Sequence, residues 1–165
     1  MPGLFLLTIF LLQSCGYKVL SGGAPVGFSA IHVAMVENKT REPGLEDLLH
    51  QALVEELLLD RRVKIVPSDR AEVTLQATIT RFYLRPTSES GSRATQYEIE
   101  LDADFQLVER KSGKVLSKIT GLRSPIRVLF SLGSDMVAAR TSQEEAEVRA
   151  SRELARELAK KVLLK

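Results

Sequence analysis

The sequence is short of the residues that most catalytic and metal sites need. A single cysteine among 165 residues excludes an internal disulfide and a cysteine-rich zinc site. The only histidines are His32 and His50, and neither lies at a catalytic or metal-ligand spacing. A glycine-rich phosphate loop is also missing. These absences argue against an enzyme, and we predict no catalytic residue, no metal and no cofactor.

The charges are nearly balanced, which limits the kind of partner. There are 23 basic and 21 acidic residues, so the formal net charge is only +2. A charge this small gives no reason to expect binding to nucleic acid through bulk electrostatics. The length and a hydrophobic content of 44% predict one compact domain.

An uncharged apolar run lies at the N-terminus, over residues 4–12. It is too short for a spanning helix, which needs about 20 residues, but it suits the core of a signal peptide. The run leads into Gln13-Ser14-Cys15, which resembles the lipobox of bacterial lipoproteins. We therefore predict a signal peptide over 1–14, a palmitate-type lipid anchor on Cys15 and a linker to residue 27. The alternative is a buried structural cysteine in an N-terminal helix.

Hydrophobic periodicity predicts an α+β domain over residues 28–165. Period-two alternation predicts strands within 30–36, 63–66, 73–86, 96–107 and 115–122, and helical spacing predicts helices over 45–57 and 142–162. Ser142 and Glu145 have the spacing of a capping box for the second helix. We expect both helices to pack on one face of a four-stranded antiparallel or mixed sheet, in a two-layer sandwich. Residues 124–140 are expected to form an irregular connection.

The strand over 96–107 has one apolar face and one acidic face. The acidic face carries Glu98, Glu100, Asp102 and Asp104. Carboxylates two residues apart spread along a strand and do not converge as calcium ligands must, so we expect a solvated or partner-facing surface. A register that places Lys118 beside Asp104 would pair these charges across the sheet.

Basic residues concentrate in the second half of the domain. Seven lie between residues 110 and 140, against one acidic residue, and Arg85 and Arg93 lie on the neighbouring hairpin. One interpretation is a solvated strand edge that lysines keep soluble. The other is a site for an anionic ligand with an apolar part, held beside the apolar residues at 82–84 and 129–130.

Five segments of the chain match a known family in order and spacing. They are Cys15–Lys18, Val36–Leu45, Ala71–Val73, Thr95–Ile99 and Ser112–Leu116. With these segments the sequence resembles the LptE family, the lipopolysaccharide-assembly lipoproteins of Gram-negative outer membranes. The resemblance spans essentially the whole mature chain.

The resemblance implies both a fold and a function. The implied fold is two helices against a four-stranded sheet. The implied function is a plug inside the β-barrel of a partner, LptD, which the protein helps to assemble, together with binding of lipopolysaccharide for delivery to the cell surface. It also implies a lipid-anchored location at the outer membrane.

The resemblance also points to residues. Basic residues of the family's hairpin tip and of the loop before the last helix are implicated in lipopolysaccharide contact, and these regions carry Arg93 and Arg127 or Arg140 here. With Arg85 and Lys118 from the same basic cluster, they form the predicted lipopolysaccharide site.

A second class of protein stays open. The Glu-Asn-Lys-Thr loop at 37–40, the leucine-rich helix and the segment 63–66 also resemble periplasmic lipoproteins that regulate peptidoglycan synthases or assemble secretion pores. The long acidic strand and the C-terminal helix after a single meander favour the first interpretation.

Overall fold

A computed structural model describes residues 27–90, 93–124, 128–131 and 136–163. The helices are α1, Leu45–Asp60, and α2, Met136–Leu163. The strands are β1 (Ala30–Val33), β2 (Glu37–Asn38), β3 (Lys64–Ile65), β4 (Val73–Ser90), β5 (Arg93–Glu109), β6 (Val115–Arg123) and β7 (Val128–Ser131).

A long antiparallel hairpin, β4–β5, forms the centre of the sheet. At about 3.3 Å per residue, the 18 residues of β4 span about 55–60 Å. On one side, β1 and β2 pair in parallel with β4, and β3 pairs with β1. On the other side, β6 and β7 pair with β5 in an antiparallel sense. Each side of the hairpin is therefore flanked by a strand in two segments.

The two ends of this hairpin have different neighbours. We call the end at which β4 begins and β5 ends the base, and the opposite end, where β4 ends and β5 begins, the hairpin end. β1 also begins at the base, because Ile31 pairs with Val73. Both helices end there, since Arg62, two residues after α1, donates a hydrogen bond to the carbonyl oxygen of Leu163 in α2.

Both helices cover the same face of the sheet and enclose the core. Their buried side chains recur at helical spacing: Leu45, Leu49, Ala52, Leu53 and Leu57 in α1, and Ala146, Ala150, Leu154, Ala155, Leu158 and Val162 in α2. The sheet contributes the alternate residues 99, 101, 103, 105 and 107 of β5, all at most 6% exposed. Burying a leucine or isoleucine side chain contributes about 1.5–3 kcal/mol, so this interface supplies the main stabilising term.

One extra residue in β4 keeps its apolar face continuous. Ile79 and Arg81 pair with consecutive residues of β5, so Thr80 has no opposite residue and forms a bulge. Side chains alternate with a period of two, and an unbroken strand would therefore turn Arg81 towards the core. The bulge places Phe82 and Leu84 on the core face instead.

The predicted class, two helices on one mixed sheet in an α+β arrangement, is confirmed. The sheet has seven strands where four were expected, because β2, β3 and β7 are only two to four residues long and pair at the hairpin's flanks. Within the described ranges, no helix is long and apolar enough to cross a membrane.

The expected irregular connection over 124–140 is wrong in two respects. It contains β7, whose four residues form a strand only because β5 lies alongside them. It also contains the start of α2 at Met136, so Ser142 lies inside the helix and does not cap it. The turn before Ser142 shows no apolar periodicity in the sequence, which is why the capping pattern suggested a later start.

Candidate functional site on the hairpin

The face of the sheet away from the helices, the outer face, carries opposed charges. Arg81, Tyr83 and Arg85 of β4 lie opposite Asp102, Glu100 and Glu98 of β5. Asp102 is only 6% exposed and Glu98 only 5%. The expected solvated or partner-facing row is therefore not solvated at these two positions. At Asp102 the reason is that Arg81 and Arg123 reach its carboxylate from the strands on either side of β5.

Arg123 of β6 neutralises much of this row. Its Nε lies 3.0 Å from Asp102 Oδ1 and its Nη2 lies 3.4 Å from Asp102 Oδ2. It also forms an ion pair with Glu100, while Arg81 Nη1 approaches Asp102 Oδ2 at 3.9 Å. The hydrogen bond to Asp102 and the two nearby carboxylates raise the pKa of Arg123. Arg81 and Arg123 therefore pair with carboxylates within the sheet.

The register that would place Lys118 beside Asp104 does not form. Lys118 lies opposite Gln106, and β6 has an extra residue between its pairs with Ala103 and Phe105, which makes a bulge. Gly121, at φ 61°, lies in this bulge and donates its backbone N–H to Asp104 Oδ1 at 2.7 Å. The carboxylate thus completes the hydrogen bonding of the bulge.

The structure places the predicted lipopolysaccharide residues at two levels of the sheet. Arg85 is opposite Glu98, whereas Lys118 is opposite Gln106, eight residues further along β5. That separation corresponds to about 27 Å. Arg85 therefore lies towards the hairpin end, where the backbone of Arg93 begins β5. Lys118 lies nearer the base.

Arg140 lies in the helix layer, in the first turns of α2. Its Nε is 3.0 Å from Glu144 Oε1, and its side chain is 84% exposed. The 28 residues of α2 extend about 42 Å from the base, so Arg140 belongs to the hairpin half of the molecule. Arg127 and Cys15 lie outside the described residues.

Apolar side chains are exposed beside Arg85. Tyr83 is 45% exposed on the outer face and Leu84 is 39% exposed on the core face. The Arg81 guanidinium carbon lies 5.5 Å from the centre of the Tyr83 ring, within the range of a cation–π contact. None of the ion pairs among the described residues includes Arg85. The arrangement offers one uncommitted cation with an aromatic and an aliphatic neighbour.

The two histidines contact backbone carbonyls of nearby segments. His32 Nδ1 lies 3.4 Å from the oxygen of Val66, and His50 Nδ1 lies 3.2 Å from that of Ala34. In the part of the chain that the structure describes, no three His, Cys, Asp or Glu side chains are grouped so that they could hold a metal ion. Both histidines therefore connect elements of the fold.

Sequence reasoning missed one buried carboxyl group, that of Glu147 on α2. The residue is 6% exposed, and Gln143 Nε2 donates to its Oε1 at 2.8 Å. Burial raises the pKa of Glu147, and the nearby carboxylates Glu42 and Glu144 raise it further. Its position three residues before Ala150, on the apolar stripe of α2, is the signal that would have identified it.

Solved structures share this fold with low sequence identity. A putative lipoprotein from Caulobacter crescentus CB15 is 21% identical, with a TM-score of 0.54 over 78% of this chain and 88% of its own. A protein from Xanthomonas campestris is 13% identical, with a TM-score of 0.56 over 83% and 86%. Lipoprotein B from Nitrosomonas europaea is 15% identical, with a TM-score of 0.51 over 90% and 88%. These likenesses establish the fold class. No curated protein sequence matches the chain.

The family follows from the sequence itself. Residues 28–162 match the family model described as "LptE: Lipopolysaccharide-assembly". Because the match covers most of the chain, the protein belongs to the LptE family. The resemblance drawn from the five short segments is thereby confirmed.

Proposed function

We propose that this protein is an outer-membrane lipoprotein that forms a plug complex with an LptD β-barrel, assists its assembly and binds lipopolysaccharide for delivery to the cell surface. Membership of a lipopolysaccharide-assembly family supports the general role. The observation that carries the binding site is the exposed, uncommitted Arg85 beside Tyr83 and Leu84, near the end of a long hairpin.

The chemistry of this hairpin end suits a lipid that carries phosphate. An arginine presents a planar fork of donors to phosphate oxygens, and such charge-assisted hydrogen bonds are stronger than neutral ones. Tyr83, on the same face as Arg85, offers apolar surface to an acyl chain, and Leu84 offers it on the core face. Arg140 is a second cation of the hairpin half, in the helix layer, and its exposed pair with Glu144 is of the kind worth only about 0.3–0.5 kcal/mol and exchanges easily.

The outer face suits a plug in a barrel. The lumen of a large outer-membrane barrel is polar, and a plug with internally paired charges leaves few charges uncompensated when water is displaced. Asp102 is already neutralised by Arg123 and Arg81 before any partner arrives. The partner would therefore contact a polar surface whose charges are already paired.

Two charge reversals test the lipopolysaccharide site. Arg85→Glu combined with Arg140→Glu should weaken binding of the full chain to purified lipopolysaccharide by at least about tenfold, equivalent to 1.4 kcal/mol. Arg149→Glu combined with Arg152→Glu, the same change in charge nearer the middle of α2, is the matched control and should leave affinity and circular dichroism unchanged. Equal affinities of the double variant and the control would remove both residues from the site.

Lys118 tests how far the site extends. Lys118→Glu changes the same charge about 27 Å from Arg85 along β5. Unchanged affinity would confine the ligand to the hairpin end, with Arg93 and Arg127 as the remaining predicted contacts. A loss equal to that of the double variant would extend the site towards the base.

The partner and the anchor need separate tests. Affinity purification of the tagged protein from detergent-solubilised envelopes should recover LptD at equal stoichiometry. Recovery of a peptidoglycan synthase or of a secretion-pore component would support the alternative class. Palmitate labelling should disappear in Cys15→Ala, and labelling that persists would contradict acylation at this residue.

A further inference from the structure

Half of the exposed large apolar residues of the described chain lie at the base. Leu58 and Leu59, in the last turn of α1, are 57% and 74% exposed. Val115 and Leu116, at the start of β6, are each 46% exposed. Two apolar pairs therefore project from the end of the molecule at which both helices stop.

Cations flank both apolar pairs. Leu59 lines a groove of about 310 Å³ between the helix ends, together with Arg156 and Lys160, which form ion pairs with Glu56 and Glu157 respectively. Lys111 and Lys114 lie in the turn just before Val115 and are exposed. The juxtaposition of exposed aliphatic side chains with basic residues is typical of surfaces that lie on a membrane interface.

The net charge of the chain is concentrated at the base. Three segments form this end, 60–72, 109–114 and 157–163, and together they carry nine basic and five acidic residues. In the rest of the chain acidic residues outnumber basic ones, 16 to 14. The base is therefore positive while the remainder of the protein is slightly negative, which favours contact of this end with an anionic surface.

The chain outside the described residues leaves from the same end. Ser29, just before β1, accepts a hydrogen bond from the backbone N–H of Lys64 and donates its hydroxyl to Glu72 Oε1 at 2.6 Å, which fixes the start of the domain at the base. Twelve residues separate Cys15 from Phe28, so their span cannot exceed about 45 Å. The hairpin end lies 55–60 Å from the base, beyond that reach, so an anchor at Cys15 keeps the base within about 45 Å of its bilayer.

We infer that the base is a second membrane contact, which rests on the anionic phospholipid leaflet that holds the Cys15 anchor while the domain is outside the barrel of its partner. Leu58, Leu59, Val115 and Leu116 lie among the headgroups, and lysines at the rim bind lipid phosphates. The inference rests on the anchoring of Cys15 given under the proposed function. Because the tether makes the contact intramolecular, a weak surface interaction is enough to orient the domain.

Tryptophan scanning tests this contact directly, since the chain contains no tryptophan. Leu59→Trp and Leu116→Trp place reporters at the base, and Val137→Trp, at a position 73% exposed on α2, is the control in the hairpin half. Each full-length acylated variant is reconstituted into phosphatidylcholine vesicles with or without phosphatidylglycerol, with bromine on the acyl chains. Both base reporters should lose about half of their emission when phosphatidylglycerol is present, and the control should lose little.

A second set of variants tests whether the membrane contact depends on basic residues, with charge changes at positions other than those of the tryptophan reporters. Lys111→Glu combined with Lys114→Glu should abolish the quenching of the Leu59→Trp reporter, whereas Arg149→Glu combined with Arg152→Glu, the same charge change in the middle of α2, should not. Quenching of the base reporters no greater than that of the Val137→Trp control would overturn the inference, as would quenching indifferent to phosphatidylglycerol.

Sedimentation with the vesicles separates this inference from the anchor. A Leu59→Trp chain that sediments with vesicles while its tryptophan stays unquenched retains its anchor and refutes the second contact. A Leu59→Trp chain without acylation whose tryptophan is still quenched by phosphatidylglycerol vesicles retains the contact and refutes the need for the anchor. Failure of both measurements overturns both proposals.

Discussion

Arg123 on β6 donates two hydrogen bonds to the carboxylate of Asp102 on β5, from Nε at 3.0 Å and from Nη2 at 3.4 Å. Asp102 is 6% exposed, and Arg81 approaches it from the opposite strand at 3.9 Å. The aspartate is thus held between cations from both neighbouring strands. This arrangement fixes the order β4–β5–β6 on the polar face of the sheet, where apolar packing does not help.

Replacement of Arg123 should therefore weaken the sheet. Arg123→Ala leaves the buried carboxylate with its longest-range partner, Arg81, and removing one member of a buried charge pair is strongly destabilising. We expect the melting temperature to fall by several degrees. Lys118→Ala, on the same strand and face, should leave it unchanged. Equal melting temperatures for the two variants would show that the pair contributes nothing.

Arg62 links the ends of the two helices, and the stability lost on its replacement should depend on pH. Its guanidinium binds both carboxylate oxygens of Asp60 and the carbonyl oxygen of Leu163. The hydrogen bond from Arg62 is the main reason that the pKa of Asp60 is lowered. A lowered carboxyl pKa contributes stability above the unfolded value of about 3.9, and this contribution disappears as the pH falls through the folded pKa.

Arg62→Ala should accordingly lower the free energy of unfolding by about 1–2 kcal/mol at pH 7 and by less near pH 3. Arg62→Lys keeps the charge but loses the planar fork, so its cost should be intermediate. Urea unfolding at the two pH values measures both effects. A cost for Arg62→Ala that does not depend on pH would assign the whole effect to the Leu163 carbonyl.

Glu147 should show the opposite pH dependence. Burial and the carboxylates of Glu42 and Glu144 raise the pKa of Glu147, so its ionised form is disfavoured in the folded state. A raised carboxyl pKa leaves stability intact below the unfolded value, near 4.3, and lowers it as the pH rises through the folded pKa. Glu147→Gln removes this penalty and keeps the oxygen that accepts from Gln143.

The variant should be more stable than the parent at pH 7, by roughly 1 kcal/mol or about 3–5 °C in Tm. The difference should shrink towards zero at pH 4 and below. Thermal unfolding followed by circular dichroism over this pH range is the measurement. Glu145→Gln, on an exposed residue of the same helix, controls for the general loss of a negative charge.

The apolar face of β5 illustrates what sequence periodicity determines. Alternation over 96–107 predicted the buried positions, and Ile99, Leu101 and Phe105 are indeed at most 2% exposed. The opposite face illustrates what periodicity leaves open. Asp102 is buried beside Arg81 and Arg123, which come from other strands, and a one-dimensional pattern contains no information about those neighbours.

The candidate site, too, is determined partly by composition and partly by strand register. Composition identified the basic cluster, but strand register decides which of its members remain uncommitted. Arg123 and Lys118 are five residues apart on β6, yet one pairs with two carboxylates and the other lies opposite a glutamine. Arg85 and Lys118 look alike in sequence, and only the pairing of β4 and β6 with β5 separates them by about 27 Å.

The bulge at Thr80 gives β4 one residue more than β5 opposite it, while the side chains of residues 81–85 keep the faces they need at the proposed lipopolysaccharide site. Deletion of Thr80 joins Ile79 directly to Arg81, and these residues already pair with the consecutive residues Ala103 and Asp102. The deletion therefore removes the unpaired residue and leaves Phe82 and Leu84 on the core face and Arg85 opposite Glu98. We expect it to change the melting temperature by no more than about 5 °C and to leave the affinity for lipopolysaccharide within about twofold.

Thr80→Ala is the matched control for this deletion, because it keeps the extra residue and loses only a hydroxyl contact to the Asp102 carbonyl oxygen at 3.3 Å. That substitution should change stability by no more than about 0.5–1 kcal/mol. A deletion variant that unfolds without cooperativity while Thr80→Ala does not would show that the hairpin needs the bulge itself. A deletion variant that stays folded but loses lipopolysaccharide binding would show that the bulge, and not only the register, positions Arg85. Retention of both stability and binding is the expected result, since the pairing of Arg85 with Glu98 does not depend on Thr80.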